Sequence, residues 1–128
     1  MSSKYAFDSY AWAEYFDGTK KGLRVKEMLE KDEIVTSVIA LAELSDKYAR
    51  ENREFEPFLE FIQGKAKIIP LHQSIAVEAG KLKKELREIE KNVSLADAIH
   101  FQTAKSVGAV FVTGDPDFKL VDGILFLG

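Results

Sequence analysis

The sequence predicts an α/β fold in which helices cover both faces of a mainly parallel central sheet, giving three layers, α/β/α. Short apolar segments alternate with longer amphipathic segments along the chain, which is typical of β-α-β units. Residues 109–112 are a continuous apolar run, as expected for a parallel strand covered on both faces. Residues 95–107 carry apolar side chains around nearly the whole helical circumference, which indicates a helix buried inside the domain.

The first half of the chain alternates strands and helices, and a residue suited to helix capping precedes three of the helices. Ser9 is placed to cap the first helix, which closes near Gly18. Thr19 and Ser37 are placed to cap the next ones, because their hydroxyls can accept hydrogen bonds from the free N–H groups of a first turn. The predicted elements are strands at 4–7, 33–36 and 67–69 and helices at 10–16, 20–31, 38–51 and 54–63.

The second half of the chain contains a long charged helix, the buried helix and two more strands. Apolar residues recur at intervals of three and four between 75 and 89, so one stripe of the charged helix is predicted to be buried. Ser94 is a good N-cap, Asp97 stands where a capping-box acid stands, and Gly108 is suited to end the helix. The predicted elements are helices at 73–91 and 95–107 and strands at 109–112 and 124–127.

The composition is that of an ordinary globular domain. With 128 residues and 46% hydrophobic content, the chain can bury a substantial core, and we predict one domain over residues 1–128. The absence of cysteine excludes disulfides, zinc–thiolate sites and cysteine nucleophiles. The net charge of −3 argues against broad nucleic-acid binding by charge alone. Because no apolar run approaches the roughly 20 residues of a membrane span, and no signal-peptide pattern begins the chain, we expect a cytoplasmic protein.

Carboxylates stand at positions that this fold would bring to one edge of the sheet. Asp8 ends the first strand, Asp97 lies in the first turn of the buried helix, and Asp115 follows the strand at 109–112. In open α/β sheets, ligands bind outside the carboxyl ends of the strands, so these three acids could face one site. Glu43 and Asp117 are further candidates.

Such a cluster has a chemical reason in metal binding. Neighbouring carboxylates repel one another unless a cation neutralises them. Carboxylate oxygens are hard ligands that suit Mg²⁺ or Mn²⁺. An ion of this kind can activate water and stabilise a phosphate under attack, so neither a histidine base nor a nucleophilic serine is required.

Each acid also has a purely structural interpretation. Asp8 could form a turn and share in capping the next helix, and Asp97 could be only a capping-box acid. Asp115 and Asp117 could belong to a surface turn. A helical wheel places Glu43 on the polar side of its helix, where it would be solvated.

The remaining features favour packing over chemistry. His100, one turn beyond Asp97, could assist a metal or a phosphate, but a lone histidine on a buried helix is usually a core residue. Aromatic side chains in the first half are also expected to pack in the core or at an interface. These are Trp12, Tyr15, Phe16, Phe55, Phe58 and Phe61.

Four short motifs stand in order along the chain. They are Asp8-Ser9 after the first strand, the stretch Thr36 to Leu44 with Glu43, the helix start Ser94-Leu-Ala-Asp97-Ala, and the loop Thr113-Gly-Asp115-Pro-Asp117-Phe118. Together they resemble the PIN-domain nucleases, and most closely the small VapC-type toxins of toxin–antitoxin pairs. The resemblance covers the whole chain, and four motifs in order within so short a chain make it fairly specific.

The resemblance implies a PIN-like fold with an acidic metal site. Family members are typically Mg²⁺- or Mn²⁺-dependent endoribonucleases that commonly dimerise and are inhibited by a cognate antitoxin. We therefore expect a Mg²⁺ (or Mn²⁺) cofactor, an RNA substrate, an antitoxin partner and a homodimer, with no role for a membrane. The implied site comprises the acids Asp8, Glu43, Asp97 and Asp115, Asp117 as a supporting or second-metal acid, and Ser9 and Thr113, which would hold waters or orient carboxylates.

Three other functional classes share features with this chain. A PIN-like module could bind RNA or a protein without cutting, and cleavage that EDTA stops would separate it from an enzyme. A receiver-type signalling domain needs an acceptor aspartate after a middle strand, and residues 70–72 offer none. A haloacid-dehalogenase-like phosphatase needs a second acid two residues after Asp8, where Tyr10 stands.

Overall fold

A computed structural model describes residues 3–128, in which five strands and six α-helices follow one another. Among these residues, no helix has the length and apolar character needed to cross a membrane. In chain order, the elements are β1 Lys4–Phe7, α1 Ser9–Phe16, α2 Lys20–Lys31, β2 Glu33–Ser37, α3 Val38–Arg50, α4 Glu56–Lys65, β3 Ala66–Ile69, α5 Gln73–Leu86, α6 Leu95–Ser106, β4 Val110–Thr113, a 3-10 turn Pro116–Phe118 and β5 Ile124–Phe126.

The five strands form one parallel sheet in the order β3-β2-β1-β4-β5. In the central register, Phe7 stands beside Thr36 on one side and Val112 on the other. The chain adds β2 and β3 on one side of β1, and then β4 and β5 on the opposite side. The order therefore reverses between β1 and β4, and ligand crevices form at such a switch point, outside the carboxyl ends of the strands.

Two hydrophobic cores lie on opposite faces of this sheet. Successive side chains of a strand point to opposite faces, and in β1 Ala6 belongs to one core while Phe7 belongs to the other. The first core is completed by α5 and α6, and the second by residues of α1, α2, α3 and α4. The predicted three-layer fold with a mainly parallel sheet is confirmed.

The aromatic residues of the first half pack in the second core, as predicted. Trp12 is fully buried and stacks on Phe16 with ring centroids 5.8 Å apart. Phe16 also contacts Phe58, with ring centroids 4.7 Å apart, and so joins α1 to α4. Tyr15 stacks on Phe61 at 5.4 Å. These contacts hold α1, whose first residue is the candidate site residue Ser9, against α4.

The prediction that Ser9 caps the first helix is wrong, because Asp8 takes that role. Asp8 has an extended backbone, and its Oδ1 accepts a hydrogen bond from the N–H of Ala11 at 2.8 Å. Ser9 is already the first helical residue, which leaves its hydroxyl free to donate to Glu43. Asp8 therefore caps α1 and lines the candidate site at the same time.

The long charged helix ends earlier than the apolar periodicity predicted. α5 stops at Leu86 instead of residue 91, and Ile89, which was expected in its buried stripe, is 49% exposed. The chain turns after Leu86, and Val93 enters the core, where it is fully buried. Arg87 donates a hydrogen bond from Nε to the carbonyl of Val93 at 3.0 Å, which closes the turn. The other predicted element boundaries agree to within two residues.

Helices α1 and α2 approach each other closely at Gly22. A Cβ added there would overlap the carbonyl oxygen of Glu14 and lie 2.9 Å from Cα of Tyr15. Since these are backbone atoms, Gly22→Ala must displace a helix, and we expect the free energy of unfolding to fall by about 1–3 kcal/mol. Chemical denaturation would measure the change.

Gly80 on α5 provides the matched control for this substitution, because a Cβ there would meet open space. Gly80→Ala is expected to raise the free energy of unfolding by about 1 kcal/mol, since alanine is the better helix former. A similar effect of the two substitutions would contradict the close approach at Gly22.

Candidate metal centre

A cavity of about 340 Å³ opens at the carboxyl edge of the sheet, at the switch point between β1 and β4. Four of the acids that line it are candidate metal ligands, and each comes from a different part of the chain. Asp8 follows β1, Glu43 lies on α3, Asp97 lies in the first turn of α6, and Asp115 follows β4. Four of the five acids predicted as metal ligands therefore lie around one space, while the fifth, Asp117, does not line it.

Asp8 is the most enclosed of these acids, with only 4% of its surface exposed. Its Oδ2 accepts a hydrogen bond from the Thr113 hydroxyl at 2.5 Å, and Thr113 in turn accepts one from the N–H of Asp115 at 3.0 Å. Burial raises the pKa of Asp8 to about 6, against the opposing effects of His100 and the two hydrogen bonds. The anion of Asp8 is therefore unfavourable unless a cation lies nearby.

Glu43 is held through a single oxygen by two neighbouring helices. Its Oε1 accepts hydrogen bonds from Oγ of Ser9 on α1 at 3.1 Å and from Nε2 of His100 on α6 at 2.5 Å. Burial raises the pKa of Glu43, but the hydrogen bond and charge of His100, with the bond from Ser9, outweigh it and lower the pKa. Glu43 is thus an anion at neutral pH.

The helical-wheel interpretation of Glu43 as a solvated residue therefore accounts for only one of its two carboxylate oxygens. A wheel reports only the apolar face of one isolated helix. Glu43 lies beside the buried face of α3, where α1 and α6 supply polar partners that a wheel cannot represent. Its side chain is 36% exposed.

Asp97 forms the capping box that its spacing predicted. The N–H of Ser94 donates to Oδ2 of Asp97 at 2.9 Å, and the N–H of Asp97 donates to Oγ of Ser94 at 3.1 Å. Burial, with a contribution from the charge of Asp115, raises the pKa of Asp97. The structural and functional interpretations are compatible, because the capping box occupies only one carboxylate oxygen.

Asp115 and Asp117 extend the acidic group along the loop after β4. Oδ1 of Asp115 accepts a hydrogen bond from the N–H of Asp117 at 2.9 Å. Carboxylate oxygens of Asp97, Asp115 and Asp117 lie within 4.8 Å of one another. Burial, followed by the charge of Asp115, raises the pKa of Asp117. These three acids form a close group, and Asp8 and Glu43 line the cavity together with Asp97 and Asp115.

The carboxylates share a pattern of hydrogen bonding that suits a cation. Within residues 3–128, no protein group donates to Oε2 of Glu43, Oδ1 of Asp97 or Oδ2 of Asp115. Each of these acids is fixed through one oxygen and open at the other. The open donors are all oxygens, which is the ligand type that Mg²⁺ and Mn²⁺ prefer. The donor set therefore fits a hard divalent cation.

His100 belongs to this site, although its position favoured a role in the core. It is only 3% exposed, yet it donates to Glu43 across 57 residues of sequence. The one available signal was its spacing, because residues three apart share a helix face and Asp97 lies one turn before it. Lys47 and Arg50 also line the cavity and supply positive charge, although each pairs with an acid four residues away on or just beyond α3.

A parallel three-layer α/β fold with an acidic cavity at its carboxyl edge defines the class of this protein. The family model of the PIN domain matches residues 5–124. The chain therefore belongs to the PIN domain family, and the resemblance seen in its motifs is confirmed. Comparison with curated proteins gives no significant match.

Solved structures with the same fold include components of toxin–antitoxin systems. A toxin–antitoxin complex from Klebsiella pneumoniae is 22% identical, with 96% of this chain and 97% of that chain covered and a TM-score of 0.75. VapBC2 from Rickettsia felis, bound to promoter DNA, is 17% identical, with 96% of each chain covered and a TM-score of 0.74. VapC20 from Mycobacterium tuberculosis, a toxin that cleaves the sarcin–ricin loop, is 16% identical, with coverages of 94% and 96% and a TM-score of 0.70. At these identities, the likeness is one of fold.

Proposed function

We propose that this protein is a metal-dependent endoribonuclease and the toxin of a type II toxin–antitoxin pair. The observation that carries the proposal is the cavity at the β1/β4 switch point, where four acids from four parts of the chain converge. Three of these acids each keep one oxygen open. Membership in the PIN domain family and the toxins among the structures of the same fold support the same function.

As proposed, Asp8, Glu43, Asp97 and Asp115 hold Mg²⁺ or Mn²⁺, and Asp117 supports the last two from the adjacent loop. A divalent ion held there would supply Lewis-acid activation of water and neutralise charge on the phosphate. The protein's own residues fix the ligands in place. Thr113 connects Asp8 to Asp115 through its hydroxyl, and Ser9 restrains Glu43.

The protein's cationic groups have a complementary role in this proposal. Lys47 and Arg50 line the cavity on α3, where they offer positive charge to the phosphates that flank the scissile bond of an RNA. Because the chain as a whole carries a net charge of −3, RNA binding would depend on this local charge and on the metal. The proposed site of action is the cytoplasm, and the proposed unit is a single domain over residues 1–128.

The proposed partners are a cognate antitoxin, which covers the acidic cavity, and a second copy of the chain. Toxin–antitoxin complexes among the structures of the same fold support the antitoxin. The homodimer rests on the family resemblance of the motifs. Size-exclusion chromatography with light scattering would measure the assembly state of the purified chain.

Metal-dependent cleavage of RNA is the direct test. Purified protein is expected to cut RNA in the presence of Mg²⁺ or Mn²⁺, to stop when EDTA is added, and to resume when the ion is restored in excess. Asp97→Asn is expected to remove cleavage. Asp122→Asn is the matched control, because it makes the same substitution at an exposed residue outside the cavity. Cleavage that survives EDTA or Asp97→Asn would contradict the proposal, and RNA binding without cleavage would favour a non-catalytic module.

A further inference from the structure

His100 makes a single side-chain hydrogen bond within residues 3–128, and that bond goes to Glu43. Its other ring nitrogen, Nδ1, is buried without a partner among the same residues. A buried polar atom with no hydrogen bond destabilises a fold. If packing alone mattered at this position, an apolar side chain such as leucine would serve better than histidine.

The bond between His100 and Glu43 joins helices from the two layers of the domain. His100 lies on α6, whose Ala98 and Phe101 pack in the first core, while Leu44, next to Glu43 on α3, packs in the second. His100 is therefore held in place by the packing of α6 in the first core, whereas α3 packs in the second core, on the opposite face of the sheet. It offers Glu43 a donor whose position does not depend on α3 itself.

Glu43 needs such an anchor because of its length and exposure. Its side chain has three rotatable torsions and is 36% exposed, so it would otherwise sample several rotamers. Ser9 donates at 3.1 Å to the same oxygen, but a hydroxyl rotates freely, whereas the imidazole is rigid and almost fully buried. With Oε1 held by both donors, Oε2 remains the oxygen that is open.

We propose that His100 is a positioning residue, which holds Oε1 of Glu43 so that Oε2 faces the cation. This inference rests on the proposed function, since it concerns the same metal site. His100 is not a ligand in this proposal, because its Nε2 is engaged with Glu43 and its Nδ1 is enclosed by protein. Groups that orient ligands in this way commonly change metal affinity strongly when they are replaced.

Calorimetric titration with Mn²⁺ in the absence of RNA tests the proposal without any measurement of activity. His100→Leu is expected to weaken Mn²⁺ binding about 10- to 100-fold. His100→Gln, which keeps an N–H donor within reach of Glu43, is expected to recover most of the affinity. Glu43→Gln sets the size of the loss when the ligand itself is changed, and His72→Leu, at an exposed histidine outside the cavity, is expected to bind like wild type.

Thermal unfolding in EDTA separates positioning from simple structural support. His100→Leu loses the bond to Glu43 but also removes the unpaired Nδ1, two opposing effects, so its melting temperature is expected to stay close to that of wild type. A residue that only supports the fold would show the reverse pattern, with a lower melting temperature in both His100 variants and an unchanged Mn²⁺ affinity. That pattern would overturn the proposal.

The remaining outcomes distinguish this inference from the proposed function. One outcome is that wild type binds Mn²⁺ and that Glu43→Gln weakens this binding but His100→Leu does not. In that case the positioning role of His100 is wrong and the proposed function stands. If His100→Leu and His100→Gln are equally weak, the hydrogen bond is not the cause, which also overturns the role. If wild type binds no Mn²⁺, both the proposed function and the role of His100 are wrong.

Discussion

Asp8→Asn is expected to abolish RNA cleavage while it makes the metal-free protein more stable. Asp8 lies at the centre of the proposed site, and loss of its charge would weaken the hold on the ion. A bound metal supplies several kcal/mol of transition-state stabilisation, so cleavage is expected to fall by at least about 100-fold. Single-turnover cleavage of RNA at saturating Mn²⁺ would measure the loss.

The fold is expected to survive this substitution because asparagine keeps the local hydrogen bonds. Its carbonyl oxygen can still accept from the N–H of Ala11 to cap α1, and its amide can pair with the Thr113 hydroxyl. The pKa of Asp8 rises from 3.8 to about 6 on folding. At pH 8 this buried anion destabilises the metal-free fold by about 3 kcal/mol, and asparagine avoids that effect.

Two controls make the result interpretable. Asp122→Asn is expected to change neither cleavage nor stability by much, because Asp122 is exposed and lies outside the cavity. Circular dichroism of Asp8→Asn would verify the fold. Cleavage close to the wild-type rate would show that Asp8 is not a ligand, and a lower stability in EDTA would show that its burial is not the dominant effect.

The metal-free protein is expected to become more stable as the pH falls from 8 to 5. The pKa of Asp8 is higher in the folded state, at about 6, than in the unfolded chain. The folded state therefore binds this proton more tightly, and protonation stabilises the fold as the pH falls through about 6 towards 3.8. Asp97 and Asp117 act in the same direction, since the folded state raises the pKa of each.

His100 adds to this rise in stability as the pH falls. Glu43 titrates below the range from pH 8 to pH 5 and does not contribute to it. Burial lowers the pKa of His100, but the hydrogen bond from its ring to Glu43 and the nearby acids outweigh burial and raise it. Its stabilising contribution is present below its unfolded pKa of 6.5 and is lost as the pH rises through the folded value. The pKa of Glu43 is lowered, so its contribution is fully present above pH 4.5 and is lost as the pH falls below that value.

Thermal unfolding in EDTA between pH 8 and pH 5 would measure the effect. Between pH 8 and pH 5 the titration of Asp8 alone contributes about 1.4 kcal/mol, because the rest of its shift lies below pH 5. This corresponds to a rise in melting temperature of about 5 °C for a domain of this size. Asp8→Asn is expected to flatten the profile. Saturating Mn²⁺ is expected to reduce or reverse the trend, because the ion binds ionised carboxylates. A melting temperature that falls steadily from pH 8 to pH 5 in EDTA would contradict the proposed burial of Asp8.

Much of the fold could be predicted from the sequence because its signals are local. The capping residues Thr19, Ser37 and Ser94 act on backbone groups within three residues, so their roles were correct. The apolar run that becomes β4 showed a strand covered on both faces. Where a local signal had two solutions, tertiary packing chose between them: Asp8 caps α1 instead of Ser9, and α5 ends where Val93 can reach the core.

The site also has a part that the sequence predicts and a part that only the tertiary structure shows. Asp8, Asp97 and Asp115 stood out in the sequence because strand ends and helix starts in a parallel sheet meet at one edge, whereas Glu43 rested on the family resemblance alone. Only the tertiary structure revealed how these acids are held. His100 and Glu43 lie 57 residues apart, on helices from opposite layers, and no local pattern encodes a contact between them. The sequence by itself determined the elements and the acids, while chain packing decided which oxygen of each acid is held and which is open, because hydrogen bonds between distant residues form only after the layers have come together.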